Sequence, residues 1–237
     1  MQLSAPVYHL KRKAKSLSRK ENIPLHEALD RIAVQEGFSG WSLLAGKVSA
    51  IGPAARLFAR IAPGDLVLVG ARPGHGKTLM SLELAAEAMK TGNRGVFFTL
   101  EYTEKEVLDR FRAIGVDREN FGGLFEFDTS DDISAEYIVK RLAAAPRGTL
   151  VVVDYLQLLD QKRANPELMV QVRTLHSFAR ERGLIFVFIS QIDRSYDPST
   201  KSCPDLQDVR LPNTLDLSLF TKTCFLNDGE IQFRSAD

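Results

Sequence analysis

The segment that most constrains this chain is Asp65-Leu-Val-Leu-Val-Gly70 running into Ala71-Arg-Pro-Gly-His-Gly-Lys-Thr78. An apolar run of this length, bounded by a turn, reads as a strand buried on both faces. It enters a loop with two glycines, and Lys77-Thr78 then opens a run with helical spacing that reaches Lys90. Strand, glycine loop and helix in this order build a cradle for phosphate, the Walker A arrangement. Gly74 and Gly76 let the backbone take left-handed conformations that turn N–H groups toward an anion. The start of the helix adds positive potential. The expected nucleotide-binding residues are therefore Ala71, Arg72, Pro73, Gly74, His75, Gly76, Lys77 and Thr78. In this pattern Lys77 brings a point charge to the β- and γ-phosphates and Thr78 a hydroxyl ligand for Mg²⁺. Ala71 stands where the pattern has its first glycine, with Gly70 just before it.

From residue 47 onward the pattern alternates. Strands are expected over 65–70, 94–100, 124–128, 149–155 and 184–190, and helices over 77–91, 103–114, 134–145 and 165–182. This predicts an α/β domain with a mostly parallel sheet covered on both faces. A strand over 215–225 and a partner over 230–233 are expected to close as a hairpin on Asn227-Asp228-Gly229. Residues 47–64 read as a linker ending in the tight turn Ala62-Pro63-Gly64. Ligands of a parallel sheet gather at the C-terminal ends of its strands, so polar residues at strand ends are the candidates. Asp154 ends Thr149-Leu-Val-Val-Val and is the expected second Mg²⁺ ligand, since that ion prefers oxygen. Glu101 follows Val96–Leu100 and suits a group that polarises an attacking water. Gln191 ends Leu184–Ser190 and is a candidate hydrogen-bond partner of the γ-phosphate. The cofactors expected from this set are ATP and Mg²⁺.

Charge separates the two ends of the molecule. The total is +1, divided as +4 over residues 1–50 and −3 over the remainder. Residues 1–46 read as a basic helical segment, and 47–237 as the nucleotide domain. In the former, Val7, Leu10, Ala14 and Leu17 share a face, with Lys11, Arg12, Lys13, Lys15, Arg19 and Lys20 around it. Asn22-Ile23-Pro24 is a break, and Pro24 suits the start of a second helix with Leu25, Ala28, Leu29, Ile32 and Ala33 as its apolar face. A short third helix is expected from Trp41. The six cations are candidate nucleic-acid contacts; a solvated face on a docked helix gives the same pattern. A net-negative remainder argues against tight nucleic-acid binding through residues 47–237 alone. Two cysteines, Cys203 and Cys224, are too few for a disulfide framework and are expected to be reduced in a cytoplasmic protein. No apolar stretch approaches a membrane span in length, so no membrane partner is expected.

Five strings carry a wider resemblance: Ala71 through Thr78, Thr99-Leu-Glu101, Asp154-Tyr-Leu-Gln-Leu158, Ser190-Gln-Ile-Asp-Arg194 and Pro204-Asp-Leu-Gln-Asp-Val-Arg210. In order and approximate spacing, residues 50–233 resemble the C-terminal ATPase domain of DnaB-type replicative helicases. The resemblance implies a RecA-like P-loop NTPase fold, with Glu101 as catalytic base beside Lys77 and Gln191 as γ-phosphate sensor. It also implies a homo-oligomer, hexameric in that family, with segment 192–212 facing a central channel and Arg194 as a further nucleic-acid contact. Arg210 and Lys222 become candidate contacts in trans. There are departures from the pattern. The family's N-terminal collar has no counterpart in residues 1–46. Its Lys-x-Arg pair matches Lys222-Thr223-Cys224, which puts Cys224 where an arginine finger belongs. Slow hydrolysis is expected on that ground, with Cys224→Arg raising it. Segment 192–212 sets Arg194, Lys201 and Arg210 against Asp193, Asp197, Asp205 and Asp208, a net of −1, the reverse of a strand-gripping loop. Two readings stand: a DNA-associated ATPase or assembly switch, and a DNA helicase or translocase hexamer.

Overall fold

The protein is described by a computed structural model covering residues 7–44, 52–113, 116, 122–160, 162, 165–211 and 213–235. It divides into two compact units, residues 1–52 and 53–237; the expected boundary at 46/47 lies outside the described residues.

In the first unit, α1 (Val7–Glu21) and α2 (Leu25–Gln35) are separated by the Asn22-Ile23-Pro24 break. Leu10 and Ala14 of α1 meet Ala28, Ile32 and Ala33 of α2 and Leu44 of a helical turn over 41–44 in a small buried core. The three- and four-residue spacing puts these side chains on facing stripes. Leu25 does not join them; in the first turn of α2 it stays exposed. The Trp41 N–H donates to Asp30 Oδ1 at 2.7 Å, which ties the last turn to α2.

The second unit begins inside the expected linker, where α3 (Pro53–Phe58) buries Ala54 and Leu57. Pro53 suits a first helical position, but six residues are too few to show a period. The chain then alternates β1 (Leu66–Ala71), α4 (Lys77–Lys90), β2 (Gly95–Thr99), α5 (Glu104–Ala113), β3 (Phe125–Asp128), α6 (Ala135–Arg141), β4 (Leu150–Asp154), α7 (Leu168–Arg182) and β5 (Ile185–Gln191). It closes with β6 (Lys222–Asn227) and β7 (Glu230–Ser235). The seven strands lie in the order β3-β2-β4-β5-β1-β6-β7. All neighbours are parallel except β6 and β7.

Every side chain of β1, β2 and β4 is buried, because each strand feeds two cores. Val67, Val69, Phe97 and Val152 pack with Leu84, Ala88, Val107 and Phe111 on one face. Leu68, Phe98 and Val153 pack with Ile138, Val172 and Leu175 on the other. The closing hairpin differs from the sequence reading in where its first strand begins. The expected strand over 215–225 starts only at Lys222, because Asp216 accepts the Ser218 N–H and winds Leu217–Leu219 into a 3-10 turn. The hairpin turn itself puts Asp228 at φ 44° and Gly229 at φ 79°, the left-handed pair of a type I′ connection.

Candidate active site

The loop after β1 has the shape its sequence predicts. Gly74 (φ +82°) and Gly76 (φ +86°) both take left-handed conformations, and a side chain on either would point into open space. Gly76 caps α4, so Lys77 and Thr78 open the helix at its positive end. Ala71 belongs to the strand: its side chain is buried in the core and its carbonyl accepts the Ile192 N–H at 3.2 Å. Gly70, one residue earlier, is demanded by packing, since a Cβ there would lie 2.7 Å from the Phe225 ring.

Register then assembles the rest of the site. β5 lies between β1 and β4, with Ala71 opposite Gln191, and Thr99 on β2 opposite Asp154. Alternation puts Ala71, Thr99, Asp154 and Gln191 on the sheet face that α4 covers. Asp154 is completely buried. The Thr78 hydroxyl donates to its Oδ2 at 3.3 Å, and its Oδ1 has no hydrogen-bond partner. Burial, then the negative charge of Glu101, pushes the Asp154 carboxyl up to about 7; Lys77, the Thr78 hydrogen bond and Arg110 pull the other way. Glu101 itself is exposed two residues beyond the strand end, its backbone N–H held by Thr99 Oγ1 at 3.0 Å. It lines an open cleft of about 550 Å³ with Leu100, Tyr102, Thr103, Phe127 and Thr129. An unpartnered buried carboxylate oxygen beside a hydroxyl is a hard-oxygen donor set that fits Mg²⁺, and the glycine loop above it fits a polyphosphate.

Arg72 and His75 contact other parts of the chain. The Arg72 guanidinium donates to the Tyr196 carbonyl and lies 5.2 Å above the Tyr196 ring. His75 Nδ1 accepts the Asp228 N–H at 3.3 Å, tying the loop to the terminal hairpin. Pro73 is exposed. Arg210 reaches Gln191 of its own chain, through its N–H to the Gln191 carbonyl at 2.8 Å and its guanidinium to Oε1 at 3.4 Å. Lys222 pairs with Val67, near the start of β1, so it sits about 13 Å along the strand from Ala71. Arg194 is exposed on segment 192–211, and the six cations of α1 belong to the other unit.

Cys224 is not at a finger position. It is fully buried, opposite Val69 on β1 and Phe233 on β7, and packs in the core that holds Ala54 and Leu57. Strand alternation gives Lys222 and Cys224 the same face, but only Lys222 is at the open end. The expectation that Cys224→Arg raises hydrolysis is therefore overturned, and slow hydrolysis loses that basis. Burial pushes both thiols up, Cys203 to about 11. Segment 192–211 folds on itself: Ile192 bridges Val209, Lys201 pairs with Asp205 at 2.7 Å and Asp208 at 2.6 Å, and Asp193 and Asp197 accept the N–H groups of Ser195 and Ser199.

Sequence reasoning missed Arg110 and Gln157. Arg110 of α5 lies 4.6 Å above the Tyr102 ring and acts electrostatically on Asp154. Its signal was available, because Val107 and Phe111 are the buried pair of α5 and position 110 flanks them. Gln157 Nε2 donates to the Arg210 carbonyl at 2.8 Å, a contact across 53 residues that no local pattern announces.

A phosphate loop, a buried acid on the next strand but one and a glutamate beyond it define a RecA-like P-loop ATPase fold. A family model described as "ATPase: KaiC" matches residues 55–203. That is more than half of the chain, which belongs to the KaiC ATPase family. The replicative DNA helicase DnaB of Mycoplasma genitalium is 24% identical over 190 residues, 65% of this chain and 40% of that protein. DnaB of Synechocystis sp. is 29% identical over 177 residues, 62% of this chain and 20% of that protein. The chain thus spans two fifths or less of these relatives' length. Among solved structures, the ATPase domain of G40P superposes with a TM-score of 0.56 at 20% identity, covering 82% of this chain and 92% of that one. A KaiC-like protein of Pyrococcus horikoshii OT3 gives 0.53 at 18%, covering 73% and 79%. Among the described residues no helix is long and apolar enough to cross a membrane.

Proposed function

We propose that this chain binds Mg-ATP at the C-terminal edge of its sheet and hydrolyses it, as a cytoplasmic, DNA-associated assembly switch. The observation that carries the reading is Asp154, a buried carboxyl with one unpartnered oxygen, held against Thr78 and beside Glu101. Glu101 is the general base that polarises the attacking water. Lys77 and Arg110 supply positive charge. The side-chain amide of Gln191, its oxygen engaged by Arg210, keeps an N–H₂ group for a phosphate oxygen. Mg²⁺, held by Thr78 and Asp154, would neutralise charge developing on the phosphates. Lys222, at the far edge from its own loop, suits a contact to the nucleotide of a second copy, and assembly through such contacts is the proposed output.

The relatives named as replicative helicases favour a second reading, a hexameric DNA translocase. The pairing of Lys201 with Asp205 and Asp208 inside segment 192–211 favours the switch. Phosphate release from ATP by the full chain, with and without single-stranded DNA, tests both. Turnover that needs Lys77 and ignores DNA supports the switch; stimulation of many fold by single strands moves the conclusion to the motor. No ATP binding in wild type, or unchanged binding in Lys77→Ala, refutes the site.

A further inference from the structure

The first unit carries a feature that ATP chemistry does not use. Helix α1 has no acidic residue before Glu21 and carries six cations. At 3.6 residues per turn, Lys11, Arg12, Lys15 and Arg19 fall within about 100° of arc, in a row about 12 Å long. Lys13 and Lys20 lie on the opposite side of that arc. All six are exposed, and none has a hydrogen-bond or ion-pair partner among the described residues. Three of the unit's acids are occupied elsewhere: Glu21 and Glu27 both pair with Arg31 at 2.7 Å, and Asp30 accepts the Trp41 N–H. Lys11–Lys15 and Lys15–Arg19 are like-charge pairs four residues apart, each of which weakens an isolated helix by about 0.2–0.5 kcal/mol. A face selected only for solvation would mix its signs, as α5 does with Arg112 on Asp109.

We infer that the Lys11–Arg12–Lys15–Arg19 row is a docking surface for the phosphate backbone of a nucleic-acid duplex. One strand of a duplex presents a charge every 3.4 Å, so 12 Å of axis holds roughly three to four phosphates, matching the row. A bilayer is a poorer fit. Membrane-surface helices insert an apolar face, whereas Leu10 and Ala14 of α1 are buried in the unit's own core and Leu17 packs against it. The inference concerns the first unit and gives the proposed DNA association a surface, while it does not depend on the nucleotide site. Contacts of this kind position a protein on a duplex without reading its sequence.

The test uses the full chain and two double variants of equal charge change: Lys15→Gln with Arg19→Gln in the row, and Lys13→Gln with Lys20→Gln off it. Binding to a labelled DNA duplex of mixed sequence is followed against salt. Melting temperature and ATP-analogue affinity serve as checks on folding. The expected result is a linear fall of log K with log salt, whose slope drops by about 1.8 in the row variant, at about 0.9 per lost phosphate contact. The off-row variant stays close to wild type. Equal losses in both variants, no duplex binding by wild type, or binding to phosphatidylserine vesicles in preference to DNA would each overturn the inference.

Discussion

Replacing Asp154 with asparagine should make the magnesium-free protein more stable at neutral and alkaline pH, although it removes a residue central to the proposed chemistry. In the fold the Asp154 carboxyl is raised from an ordinary value of 3.8 to about 7. An acid raised in this way stays protonated in the folded state while its unfolded counterpart ionises. Its contribution is therefore present in full below about pH 3.8 and is lost progressively as pH rises to about 7. A shift of some three units, at about 1.36 kcal/mol each, sets a ceiling of about 4 kcal/mol on that loss. Asparagine has nearly the same shape, can still accept from Thr78 and never ionises. The stability difference between Asp154→Asn and wild type should thus grow by as much as 4 kcal/mol between pH 4 and pH 8, then level off. Urea denaturation in a chelator at several pH values measures it, and the comparison cancels every group the two proteins share. Saturating Mg²⁺ with an ATP analogue should reverse the order, because the ion favours the ionised carboxylate of wild type. A pH-independent difference, or a variant less stable than wild type at pH 8 without metal, would refute the reasoning.

Cys224→Arg should destabilise the fold instead of activating it, by about 3–5 kcal/mol as an unpaired buried charge; chemical denaturation decides, and a folded, faster enzyme would restore the finger reading. Gly70→Ala should lose about 1–3 kcal/mol, as overpacking against the Phe225 ring 2.7 Å from the new Cβ, read as a lower denaturation midpoint. Lys222→Ala should leave ATP affinity at low protein concentration unchanged and lower turnover once copies assemble, measured as phosphate release across a concentration series.

Much of the site was legible because it is local or lies at strand ends. Residues 65–78 contain strand, loop and helix start in one stretch, and Asp154 and Gln191 each end an apolar run that only a buried strand explains. Glu101 was legible by position, though its placement beside Asp154 needs the sheet order, which no local pattern gives. Cys224 shows the opposite case. Matching Lys222-Thr223-Cys224 to a motif assigned a role by position along the chain, but on the face that the two side chains share only Lys222 lies at the open end of β6, and Cys224, two residues on, packs in the core. Arg72 was assigned to the nucleotide with its neighbours, yet it turns to Tyr196, a partner 124 residues away. Arg110 and Gln157 were missed because their meaning comes from packing between elements. α3 was read as linker because a turn and a half shows no period.

The central claim is that Glu101 activates water against Mg-ATP held by Lys77, Thr78 and Asp154. Its most direct test is a single-turnover comparison of wild type and Glu101→Gln, with ATP-analogue affinity measured on the same preparations. The account predicts equal affinity and a hydrolysis rate lower by about 10²–10⁴ in the variant, the range for loss of a general base. Hydrolysis at the wild-type rate with nucleotide fully bound would contradict it.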